Sequence, residues 1–147
     1  MNIEFEISLI VEDLGIRYVH LTDGYELNNI LPKLARKYED FTVNYVSEGG
    51  HFTIDEATGR RSETSKVQMM WCGVTSFNKD GQVEARNISD IIEAKKAKMN
   101  AFVDAVNASG LFEQLTKYTY QIVPIRFDAV CACLITTFDL ITIGECV

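Results

Sequence analysis

Apolar and polar residues alternate at the start of the chain. Ile3, Phe5, Ile7, Leu9 and Val11 fall on one side of a two-residue period and Glu4, Glu6 and Ser8 on the other, which predicts a strand over residues 3–11 with one wet face. A second apolar run, Ile16 to Leu21, is expected to pair with it across Glu12-Asp13-Leu14-Gly15. The period then changes. Leu27, Ile30, Leu31, Leu34 and Tyr38 recur at helical spacing, with Lys33, Arg36 and Lys37 toward the end. Pro32 makes this helix start near Asn28 to Leu31 or bend there. Phe41, Val43 and Tyr45 return to period two, as a strand.

Residues 47–66, SEGGHFTIDEATGRRSETSK, break the pattern. Apart from Phe52 and Ile54 they hold almost no large apolar side chain, and they combine paired glycines, Ala57-Thr58-Gly59 and mixed charge. This composition predicts a hairpin or long loop protruding from the body of the domain. A strand resumes from Val67 to Phe77, with Val67, Met69 and Trp71 on one side and Met70, Cys72 and Val74 on the other. Asn78-Lys79-Asp80-Gly81 suits a tight turn.

The strongest helical signal follows. Asn87 is placed to cap a helix, with Asp90 as the acidic partner that the helix dipole favours. Ile88, Ile91, Ile92, Met99, Phe102, Val103 and Val106 form its apolar stripe, with Lys95 at the margin, and Gly110 suits the stop. Tyr118, Tyr120 and Ile122 then lead to Pro124, where a bulge or edge position is expected. From Ala129 to Ile135 both sides of a strand are apolar, which requires cover on both faces. Two modest helices cover one side of a five- or six-stranded sheet, so the other must fold over on itself or meet another subunit. An oligomer is the expectation.

Chemical candidates are few. Cys131 and Cys133, two apart on a strand, share a face and are poorly placed to bridge each other. Zinc would need four ligands, and Cys72, Cys146, His20 and His51 supply no paired spacing with them. The cysteines read as small core residues, and no metal or cofactor is expected. His51, after Gly49-Gly50, lacks an identifiable nucleophile or orienting carboxylate. Asp55 and Glu56 are neighbours that point to opposite sides of an extended chain, unlike a catalytic pair. Arg60-Arg61 reads either as contacts to acidic groups on a partner or as surface charge offset by Glu56 and Glu63. No catalytic residue is assigned, and the protein is not expected to be an enzyme. Trp71, Tyr118 and Tyr120 lack the basic groove of a base-stacking surface, which favours core or interface packing.

The charge agrees. With 21 acidic against 14 basic residues the net charge is −7, against a broad phosphate-binding surface. The start of the chain has no basic region followed by an apolar core, so no secretory signal is read there. The longest apolar stretch, Ala129 to Ile143, is broken by Asp139 and is shorter than the ~20 residues of a membrane helix, so no membrane partner is expected. Residues 1–147 are expected to form one domain in a reducing cytosol.

The sequence of these elements (strand, helix, strand, protruding hairpin-like loop, strand, long amphipathic helix, closing strands) resembles tail-terminator and neck proteins of tailed bacteriophages. More particularly, KVQMMWCGVTSFNKDGQVEARNISDIIEAKKAKMNAFVDAVNASGLF, residues 66–112, is similar to their strand, charged turn and long helix. YQIVPIRFDAVCACLITTFDLITIGEC, residues 120–146, resembles their closing strands. The resemblance extends over most of the chain as element order and texture, without a signature motif. It implies an α+β fold, a mixed or antiparallel sheet packed against one long and one shorter helix. It also implies a virion structural protein, assembled in the host cytoplasm, whose homo-oligomeric rings, commonly sixfold, join head or connector to tail. DNA passes through the lumen of such rings without specific binding, and there are no catalytic residues to carry over. The protruding loop would contact a neighbouring subunit or an adjoining neck or tail protein through His51, Phe52, Ile54, Arg60 and Arg61. Removing Glu48 to Ser65 is expected to leave the fold intact and abolish assembly.

Two rivals belong to other classes. One is a small α+β ligand- or partner-binding module without catalysis, its two-faced strand lining a pocket. The other is a hydrolase or nuclease whose Asp and Glu residues meet only in space.

Overall fold

The structure, a computed structural model, describes residues 2–20, 40–44, 49–74, 85–123 and 131–143. The expected helix after Asn28, the turn at residues 78–81, and Pro32, Pro124 and Cys146 lie outside the described residues.

The first element corrects the sequence expectation. Residues Ile3–Asp13 form an α-helix, α1, not a strand. The Asn2 side chain accepts a hydrogen bond from the Phe5 amide at 3.1 Å, and Glu4 and Glu6 lie in the first turn, where the helix dipole favours negative charge. The apolar residues that matter recur at helical spacing. Ile7 and Val11 are fully buried, Ile3, Ile10 and Leu14 pack beside them, and Phe5 and Leu9 are left in solvent. The exit is a Schellman motif, with Gly15 at φ 75°, its amide donating to the Glu12 carbonyl at 2.9 Å, and the Ile16 amide donating to Val11 at 3.4 Å.

Strand β1, Arg17–His20, follows, close to the expected run. It pairs in parallel with β2, Asp40–Asn44, and not with residues 3–11, because those residues are helical. The remaining strands are β3 (Gly50–Ile54), β4 (Arg61–Val74), β5 (Thr119–Val123) and β6 (Cys131–Ile141). The sheet order is β1-β2-β4-β6-β5, with β3 also paired to β4. Apart from β1 and β2 the pairings are antiparallel. The fold is α+β.

The long helix α2 spans Ala85–Ser109. It begins before Asn87, so that residue lies inside the first turn and is not the cap. Ala85 and Arg86, both good helix formers, extend the helix past it. Ile92, Lys95, Met99, Phe102, Val103 and Val106 form its buried stripe, and Gly110 at φ 74° ends it. Beyond the helix, Asn107 Oδ1 accepts from the Leu115 amide at 2.7 Å, and the Glu113 amide donates to the Ile141 carbonyl at 2.7 Å. These bonds turn the chain back onto the end of β6.

The two described helices, α1 and α2, pack on one face of the sheet. Val67, Met69 and Trp71 of β4 and Leu134, Phe138 and Leu140 of β6 meet Ile7 and Val11 of α1 and the α2 stripe in one core. Phe102 is central, its ring centroid 5.6 Å from Trp71 and 5.5 Å from Phe138. Trp71 is therefore core, and its indole Nε1 donates to Thr136 Oγ1 at 3.1 Å, satisfying the buried donor. On the opposite face Met70, Cys72 and Cys133 are also fully buried within the single chain. Two-faced burial, foreseen for the closing strand, thus does not by itself require a second subunit.

Candidate interaction surface

Residues 50–65 hold the five residues singled out for contact. β3 pairs antiparallel with the first part of β4, in the register Gly50 with Ser65, His51 with Thr64, Phe52 with Glu63, Thr53 with Ser62, and Ile54 with Arg61. His51, Phe52, Ile54, Arg60 and Arg61 are all exposed on this hairpin. They do not converge on one point. Directly opposed pairs share a side, so Phe52, Ile54, Glu63 and Arg61 line one face, His51 and Thr64 belong to the other, and Arg60 sits in the turn.

The face that carries Phe52 and Ile54 is set by β4. Arg61 and Glu63 have the same parity as Val67, Met69 and Trp71, the residues that α2 and α1 cover. The core-facing side of the sheet therefore continues onto the hairpin without its cover. Phe52 is 65% exposed and Ile54 58% exposed. With Arg61 they line an open groove of about 300 Å³, at the bottom of the range occupied by small-molecule sites.

Local chemistry keeps this hairpin in one shape. The Asp55 amide donates to the Arg60 carbonyl at 2.8 Å, and the Gly59 amide donates to the Asp55 carbonyl at 2.8 Å. Asp55 Oδ1 accepts from the amides of Ala57 at 2.8 Å and Thr58 at 3.1 Å. Gly59 supplies the positive φ, 71°, that closes the turn. These amide hydrogen bonds, Thr58 first and Ala57 second, hold the Asp55 carboxyl below its ordinary 3.8. Asp55 thus serves the turn, and it forms no catalytic pair with Glu56.

The base is tied to the body. The Thr142 amide donates to the Glu63 carbonyl, and the Glu63 amide donates to Thr142 Oγ1, both at 2.9 Å. Gly50 packs so tightly that an added Cβ would lie 2.0 Å from the Thr64 carbonyl oxygen. Thr64 and Ser65 also pair with Ile141 and Leu140 of β6. Removing residues 48–65 would therefore cut into the central sheet, and point changes on the hairpin separate fold from assembly more cleanly.

A second exposed apolar pair, Tyr120 and Ile122, lies on β5, 49% and 43% exposed. β5 borders β6, on the side of the central β4–β6 pair away from β2 and β3. Lys96 of α2 stands 5.1 Å from its ring centroid and 3.0 Å from Glu93.

Among the described residues no three side chains of metal-ligating type gather at one place, and no described helix is long and apolar enough to cross a membrane. No protein-family model matches this chain, and no curated protein matches it.

Proposed function

We propose that this protein is a virion structural subunit that forms a ring in the neck or tail terminator of a tailed phage and works through its interfaces without catalysis. The hairpin supports this: it is hydrogen-bonded at its tip, tied at its base, and presents Phe52 and Ile54 uncovered on the core-facing side of the sheet. Burying two such side chains against a partner is worth roughly 1.5–3 kcal/mol each.

A ring built head to tail needs two different patches on one molecule. The hairpin and β5, on opposite flanks of the β4–β6 pair, fit that requirement. Arg60 and Arg61 add donors suited to carboxylates, which are abundant on a chain of net charge −7. The same charge suits a ring whose lumen DNA traverses without sticking. Assembly would take place in the host cytoplasm, with neighbouring neck or tail proteins as the further partners.

The rival, a small ligand- or partner-binding module, draws on the groove beside Phe52, Ile54 and Arg61. Light scattering across a wide concentration range, with negative-stain images of the large species, decides between them. Closed rings are expected; a persistent monomer that a small ligand stabilises would overturn the reading.

A further inference from the structure

Cys72 of β4 and Cys133 of β6 are directly opposed in the central antiparallel pair, and their Sγ atoms lie 3.0 Å apart. Both are fully buried, and both are thiols. They are 61 positions apart in sequence, and neither spacing nor composition brings them together. Only the β4–β6 register does: a slip of one residue would turn one of the pair to the opposite face.

From this juxtaposition we infer that Cys72 and Cys133 form an oxidative modification site, a dithiol that closes to a cross-strand disulfide on reaction with a small hydroperoxide. A disulfide needs its sulfurs about 2.05 Å apart, so closure asks for a relative movement of about 1 Å. Both thiols are buried, so a small hydroperoxide reaches them through local opening of the strand pair, and the neighbouring thiol is then in place to intercept the first oxidation product.

The chemistry balances without another reagent. One sulfur, as thiolate, attacks a hydrogen peroxide oxygen; the O–O bond breaks, giving a sulfenic acid, and the departing hydroxide takes up the thiol's proton as water. The second sulfur then attacks the first, the S–O bond breaks, and that hydroxide leaves with the second thiol's proton as another water. Two thiols and one peroxide become one disulfide and two waters, with two electrons passing from sulfur to oxygen.

The site lies away from the hairpin and does not depend on the ring reading. Its product would staple the two longest of the described strands, β4 and β6. The bridge runs across strands, from Cys133 to Cys72, and not along one strand to Cys131.

The test uses the full reduced chain under native conditions, treated with hydrogen peroxide and then labelled with a maleimide in denaturant. Of four cysteines, two should escape labelling. The unlabelled mass should fall by about 2 Da as two thiol hydrogens are lost. Peptide mapping should recover a link between Cys72 and Cys133, and the melting temperature should rise until dithiothreitol reverses it. A Cys131→Ser/Cys146→Ser variant should form the same link. Four labelled cysteines after treatment, a link through Cys131 or Cys146, a bridge that lowers the melting temperature, or a double variant that keeps both its thiols would each overturn the assignment.

Discussion

Two halves of one strand make the sharpest contrast in this molecule. From Val67 to Trp71, β4 lies beneath α2 and its alternate side chains are sealed in the core. From Arg61 to Glu63 the same face of the same strand continues beside β3, and the apolar residues there, Phe52 and Ile54, stand mostly in solvent. The backbone pairing is equally regular in both halves; what differs is the cover. Stability is invested where helices close over the sheet. The hairpin instead holds a stiff, apolar surface outside the core, as an association surface requires.

Substitutions should fall on either side of that divide. Phe102→Ala removes the ring packed between Trp71 and Phe138 and should cost about 3–5 kcal/mol, measured by denaturant unfolding. Gly50→Ala drives a methyl into the Thr64 carbonyl and should cost about 1–3 kcal/mol. Its signature would be lost amide protection over residues 50–54 while α2 stays protected; uniform loss would mean that the hairpin and the core are one cooperative unit. Phe52→Ser with Ile54→Ser should move unfolding stability by no more than about 0.5 kcal/mol, because little burial is lost.

The smallest effect is that of pH on the turn. Asp55 has a depressed folded value, so its contribution is present above the ordinary 3.8 and fades as pH falls through that lower value. The amide resonances of Ala57 and Thr58 should be constant near neutrality and shift only in that acid range, whereas a midpoint above 3.8 would contradict the hydrogen-bonded turn.

Much of the core was legible in the sequence. The α2 stripe repeats at helical spacing from Ile88 to Val106, about five turns, too long for another period to imitate. The apolar faces of β4 and β6 were visible because both sides of each run carry large or small hydrophobes. The N-terminus was misread for a definite reason. Ile3, Phe5, Ile7, Leu9 and Val11 satisfy period two over residues 3–11, while Ile3, Ile7, Ile10, Val11 and Leu14 satisfy the helical period over residues 3–14 equally well. The Asn2 cap, the acidic first turn and Gly15 were the signals that distinguish them.

That misreading matters for the resemblance to phage tail-terminator and neck proteins, since an N-terminal strand was one of the elements on which it was drawn. Of the candidate surface, the sequence marked the residues and their exposure but not their division between two faces. The Cys72–Cys133 contact was illegible altogether, because strand register is a product of the whole sheet.

If the uncovered hairpin face is an assembly surface, removing its two apolar side chains abolishes association and leaves the fold. The most direct measurement is the solution mass of the unmodified chain and of the Phe52→Ser/Ile54→Ser variant, side by side over the same concentrations, with a thermal melt of each. Closed multisubunit species are expected for the first, monomers for the second, and matching folded-state melts for their monomers. Equal assembly of both chains, or a monomeric unmodified chain at every concentration, would contradict it.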